Sequence, residues 1–164
     1  MNRNEVLASL RRSREATIAA YNGPYGDLEK TYAPGKWTIR QMLVHVADVE
    51  LVHLWRYSRA LAEPGSKVHA FDHDGWVVKL NYDQRPITLC RSLFAANRDQ
   101  ILYYLETMPE GTFENTVDHS ENGVIPVSRI LNYLVYHTDH HLEQIQFARE
   151  GKLWTPEASK VPKP

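Results

Sequence analysis

The chain has 164 residues, 43% hydrophobic and 24% charged, the proportions of a soluble globular domain large enough for one sizeable core. A formal net charge of −1 excludes the basic footprint of a nucleic-acid or anionic-membrane binder, and no apolar run approaches the ~20 residues of a membrane span. The single cysteine, Cys90, permits no intrachain disulfide, and the first residues carry no apolar signal segment, so one cytoplasmic domain over 1–164 is the expectation.

Val6, Leu7, Leu10, Ile18 and Tyr21 recur near helical spacing and predict a first helix from Asn4 to about Tyr21, stopped by Asn22-Gly23-Pro24. Thr38 and Gln41 form a T-x-x-Q capping signal for a second helix. Its apolar stripe runs Met42, Val46, Val49, Val52 to about Leu61, before Pro64-Gly65. His45 lies on that stripe, either as a core histidine bonded to a carbonyl or as a ligand. Asp48, one turn on, can orient an imidazole or accept a proton; as a surface carboxylate it would pair with Arg40 or Arg56. Glu50 and His53 fall on other faces.

The connection over 66–86 is long enough to carry structure of its own, and a short helix is expected near Asp74–Leu80, folded over one end of the molecule. His69 and His73 repeat the H-x-x-x-H spacing there, but without a helical frame they make a weak second metal candidate. A third helix is predicted from about Thr88 to Met108, with Leu89, Leu93, Ala96, Asn97, Ile101 and Leu105 inward. Arg98 reads either as a pocket residue or as a solvent-facing or bundle-bridging arginine. Asn122-Gly123 signals a tight turn, with a small hairpin as the candidate structure. Pro126 opens a fourth helix that ends near Gly151, and the tail with Pro156, Pro162 and Pro164 reads as extended or poorly ordered.

That fourth helix carries His137 and His141, one turn apart on one face, with His140 about 60° off their line. Among eight histidines a lone H-x-x-x-H is weak evidence. Four helices of this length predict an all-α antiparallel four-helix bundle, with a long loop between the second and third, in which facing helices build metal sites from inward side chains. His45 from the second helix would meet His137 and His141 from the fourth. Three neutral imidazoles leave coordination positions open, the catalytic pattern, and suit Zn²⁺ and Ni²⁺ alike. Water or a thiol on such a cation is a nucleophile near neutral pH.

Gly35-Lys36-Trp37-Thr38-Ile39 with His45-Val46-Ala47-Asp48-Val49-Glu50, then Phe71-Asp72 with Trp76, then His137-x-x-x-His141-Leu142-Glu143-Gln144-Ile145 resemble the opening, middle and closing motifs of the DinB/YfiT-like superfamily, over nearly the whole chain. The resemblance implies an up-down-down-up four-helix bundle, often a homodimer, with His45, His137 and His141 as ligands to nickel or zinc. It implies either a metal-dependent hydrolase or a transferase or isomerase using bacillithiol, mycothiol or glutathione. The expected enzyme activates a thiol or water against a small-molecule substrate. Asp48 would be the base or an orienting residue, and Trp76, Tyr82 and Arg98 would line the pocket. The competing expectation is a stress-response bundle whose metal is structural, or three core histidines with no metal at all.

Overall fold

The computed structural model describes residues 1–162. Helix α1 spans Arg3–Tyr21 and opens on a capping box in which Asn2 accepts from the Glu5 N–H while Glu5 accepts from Asn2. Helix α2 spans Ile39–Ala62 and has the predicted Thr38/Gln41 box. The long connection holds strand β1 (Lys67–Val68) and helix α3 (His73–Lys79), within a residue of the expected position. Helix α4 covers Ile87–Thr107. Strands β2 (Thr116–His119) and β3 (Gly123–Pro126) form the hairpin, with Gly123 at φ 64°, where a side chain would be strained. Helix α5 runs Val127–Arg149. It closes on a Schellman motif: Gly151 takes φ 65°, and the Lys152 N–H reaches the Phe147 carbonyl.

Polar contacts fix the helix directions. Arg14 pairs with Asp99 and Arg3 reaches the Met108 carbonyl, so α1 and α4 are antiparallel. Arg12 meets Asp139 and Arg149 meets Ala20, so α1 and α5 run together. Tyr57 packs on Tyr104 and Glu50 on Arg98, so α2 and α4 are parallel. The result is an up-down-down-up four-helix bundle with the short α3 laid outside it. One addition was not expected: β1 pairs in parallel with β2, making a three-stranded sheet in the order β1-β2-β3. Strands as short as β1 carry no periodicity to read.

The core divides into two apolar clusters. One gathers Leu10, Val49, Ile101 and Leu134; the other gathers Ala20, Leu43, Phe94 and Ile145. Each of the four long helices passes from one to the other through buried polar residues: Ser13 and Thr17 on α1, His45 on α2, Arg98 on α4, and His137, Thr138 and His141 on α5. A polar layer therefore crosses the bundle, and its groups must find partners within it.

The inward stripe of α4 differs from expectation. Leu89 and Leu93 are 50% and 40% exposed, and Ala96 is exposed too, while Ile87, Cys90, Phe94 and Leu102 face inward with Ile101 and Leu105. The buried row includes Arg98, and an arginine in the middle of it hides the apolar pattern. The tail is not loose either. Trp154 is buried, its indole N–H donates to Glu143, and Ser159 and the Lys160 N–H donate to the same carboxylate. Pro164 lies outside the described residues.

Candidate metal centre

Helix α2 presents His45 to α5, where His137 and His141 sit one turn apart, as the three-and-four spacing requires. The three are buried, and a nitrogen from each lies within 4.8 Å of the others, the only such group of histidine, cysteine or acidic side chains among the described residues. The ring nitrogens of His45 and His137 approach to 3.0 Å, Nε2 to Nε2. His141 donates from Nδ1 to Gln144 Oε1 at 2.8 Å, which leaves its Nε2 lone pair pointing free of that bond. His45 Nδ1 is buried with no hydrogen-bond partner.

Burial drives all three rings toward the neutral form. It is the first cause for His45 and His137, held well below the ordinary histidine range, and for His141, lowered to about 3. The neighbouring imidazoles add to it in each case. Neutral imidazole is the ligating form. Three neutral nitrogens so close together, one ring with an orphaned atom, fit a divalent cation at ~2.0–2.1 Å from each ligand.

The centre opens into a cavity of about 760 Å³, within the range of small-molecule sites. Seven of the chain's eight histidines line it, all but His69. Trp37 covers the centre, its ring 4.8 Å from His45 and stacked 6.2 Å from His141. His73, at the start of α3, brings its ring to 6.1 Å from His45. His140 edges the cavity against Trp154. His69 is exposed and forms no metal cluster with His73 among the described residues.

The other sequence candidates sit elsewhere. Asp48 does not line the cavity; it accepts from Tyr82 at 2.7 Å and pairs with Arg85 at 2.5 Å, on the side of α2 that faces α4. Three residues from His45 along a helix is about 60° short of one full turn, enough to carry its carboxylate away from the cation position. Tyr82 is thereby tied to Asp48, and burial with that bond pushes its phenol pKa up. Arg98 is completely buried in a two-pronged pair with Glu50, 2.5 and 2.9 Å, with further bonds to Ser13, Leu10 and Thr138. It bridges helices and does not reach the cavity. Trp76 packs on Phe71 with the rings tilted and 4.5 Å between centroids, and it is Phe71, not Trp76, that lines the cavity.

Several lining residues were missed. Arg56 and His53 are on α2, Tyr133 is on α5, and His119 is on β2. The first could have been found by counting: Arg56 is eleven residues after His45, about three turns and 20° away. Tyr133 is four residues before His137. His53, expected on another face, has turned inward by bonding its Nδ1 to the Val49 carbonyl at 2.9 Å. His119 depends on the sheet and has no signal in the sequence.

The fold and the site define the chain as an all-α four-helix-bundle protein with three histidines gathered between its second and last long helices. The chain belongs to the DinB superfamily, whose profile matches residues 9–145. A protein of Oceanobacillus iheyensis, provisionally named a metal-dependent hydrolase, is 31% identical over 122 residues, spanning 74% of this chain and 70% of the relative. One from Halalkalibacterium halodurans with the same kind of name is 25% identical over 122 residues, 74% and 71% of the two chains. Among solved structures, YfiT of Bacillus subtilis, described as a probable metal-dependent hydrolase with an unusual four-helix bundle topology, superposes with a TM-score of 0.82 at 19% identity over 93% of this chain and 89% of its own. A mycothiol-dependent maleylpyruvate isomerase superposes with a TM-score of 0.73 at 13% identity, and this chain spans 65% of it. At those identities the two structures speak for the fold. No helix among the described residues is long and apolar enough to cross a membrane.

Proposed function

We propose that the chain is a metal-dependent enzyme in which His45, His137 and His141 hold nickel or zinc and a low-molecular-weight thiol attacks a small-molecule electrophile. The observation that carries this reading is the position of the three buried imidazoles at the edge of a cavity of about 760 Å³, where a cation held by them would keep coordination positions open. When bound there, a divalent cation lowers the pKa of a thiol or water and so supplies a nucleophile near neutral pH. The protein does the rest. Gln144 fixes the His141 tautomer, Trp37 and Phe71 keep bulk water from the centre, and Tyr133 offers an aromatic face to the substrate.

Thiol transfer is favoured over hydrolysis by a carboxylate base because the expected base, Asp48, is engaged by Tyr82 and Arg85 outside the cavity, while His73 on the cavity wall serves either chemistry as a proton acceptor. The acids that do line it, Asp74 and Glu121, are exposed. The test is a rate assay of metal-loaded protein with bacillithiol, mycothiol or glutathione against a chlorodinitroarene, beside an ester panel without thiol. A thiol-dependent rate lost in His45→Ala is expected. Turnover of esters alone would reassign the chemistry to hydrolysis.

A structural role for the metal has one observation in its favour: the centre links α2 to α5 within the polar layer. Under that reading chelation lowers the melting temperature steeply. Under the enzymatic reading the two apolar clusters keep the metal-free bundle folded.

A further inference from the structure

Arg56 is a charge without a counter-charge. It is 8% exposed and lines the cavity. Its one hydrogen bond among the described residues is from Nη2 to the His69 carbonyl at 2.6 Å, while Nε is buried with no partner. The other buried arginine, Arg98, has Glu50 in a two-pronged pair, and Asp48 has Arg85. Among the described residues no carboxylate forms an ion pair with Arg56; Glu121 acts on it only from a distance. Buried cations in proteins are paired, and one left open against a cavity points to an anion supplied from outside.

The surroundings agree. Arg129 is exposed and lines the same cavity. The Glu121 N–H donates to His119 Nδ1 at 3.3 Å, which leaves the remaining ring nitrogen of His119 as an N–H donor. His119 is itself buried on the cavity wall. Between this end and the metal centre stands Tyr133, stacked on His53 at 6.0 Å and 5.9 Å from His137. Arg56 follows His45 by about three turns, or about 16 Å along the axis, less the reach of its own side chain.

We propose that this end of the cavity binds the carboxylate of an elongated small molecule through Arg56, with Arg129 and His119 assisting, so that its apolar middle lies on Tyr133 and its reactive end meets the three histidines. The proposal rests on the reading of the cavity as a substrate site. It narrows the substrate to carboxylates with several bonds between the acid and the reacting atom, and it disfavours short or cationic ones. Charge-assisted hydrogen bonds to a guanidinium supply both the affinity and the orientation.

The test needs no metal and no turnover. Metal-depleted protein is titrated calorimetrically with 4-phenylbutyrate and with its neutral amide. Wild type is expected to bind the acid and to bind the amide at least tenfold more weakly. Arg56→Gln is expected to weaken the acid roughly tenfold to a hundredfold, and Arg91→Gln, an exposed arginine outside the cavity, to leave it unchanged. Acid and amide binding alike, no binding of the acid, or an Arg56→Gln protein that is folded by circular dichroism and binds as wild type does, each overturns the proposal. If Arg56→Gln does not fold, Arg129→Gln, at an exposed position, takes its place: weaker acid binding supports the subsite and unchanged binding overturns it. A failure of metal loading would sink the enzymatic reading while leaving these titrations intact.

Discussion

The Nε2 atoms of His45 and His137 lie 3.0 Å apart across the α2–α5 interface, although the residues are 92 positions apart in the chain. Two neutral imidazoles brought that close in a buried layer share a proton or share a cation. A cation with His141 as third ligand is expected to bind in a one-to-one ratio. Elemental analysis of protein purified without a histidine tag should show it, and His45→Ala or His137→Ala should lower the affinity by at least about 100-fold, more than the loss of an outer hydrogen bond costs. Retention of full metal occupancy in either variant would falsify the ligand assignment.

Gln144 should matter to the metal without touching it. Its side-chain oxygen accepts from His141 Nδ1 at 2.8 Å and so selects which ring nitrogen stays basic. Gln144→Leu is expected to cost 10–100-fold in metal affinity with little change in helix content. Gln144→Glu should restore most of it, since a carboxylate accepts the same bond. Competition with a chromophoric chelator measures both.

The Arg98–Glu50 pair sits in a layer where neither partner sees water, with both side chains 0% exposed. Removing one partner strands the other. Arg98→Met and Glu50→Met are each expected to lose about 3–5 kcal/mol of stability in urea unfolding, and the double change Arg98→Met, Glu50→Met should lose less than the sum. Additive losses would show that the two do not act as a pair.

His53 makes the metal-free protein sensitive to mild acid. Burial is the main reason its pKa falls to about 4, only partly offset by the bond to the Val49 carbonyl; Arg56 nearby lowers it further. The unfolded chain takes up a proton near pH 6.5, and the folded chain resists until about pH 4. Stability present above 6.5 is therefore lost as the pH falls through this window, by about 1.4 kcal/mol at pH 5.5. Thermal melts at pH 7.5 and 5.5 should show the loss, and His53→Gln should reduce it. An unchanged difference between the two pH values in that variant would mean the titration lies elsewhere.

The long helices were legible because their signals are local. The Thr38/Gln41 box and the Pro126 and Gly151 boundaries each depend on a few neighbouring residues, and His137 and His141 announce their shared face by spacing alone. Asp48, Tyr82 and Arg98 failed as pocket residues for one common reason. Each is a polar group whose partner, Arg85, Asp48 or Glu50, lies on a different element, and pairing between elements leaves no trace in a linear pattern. The cavity wall at His119 was invisible for a further reason: it needs a parallel pairing between two strands some fifty residues apart, one of them only two residues long. Arg56 and Tyr133 were within reach, since each keeps helical phase with a clustered histidine of its own helix.

The small sheet has a mechanical consequence. β1 follows the last turn of α2, and the β2–β3 hairpin runs directly into the first turn of α5, so backbone bonds such as Ser120 N–H to the Val68 carbonyl fasten the exit of one histidine-bearing helix to the entrance of the other. Fraying at either end must break the same few bonds. Amide exchange at Val68 and Val117 should consequently slow and quicken together with that of both helix ends, and loosening the hairpin by lengthening its turn should be felt at a metal position several turns away.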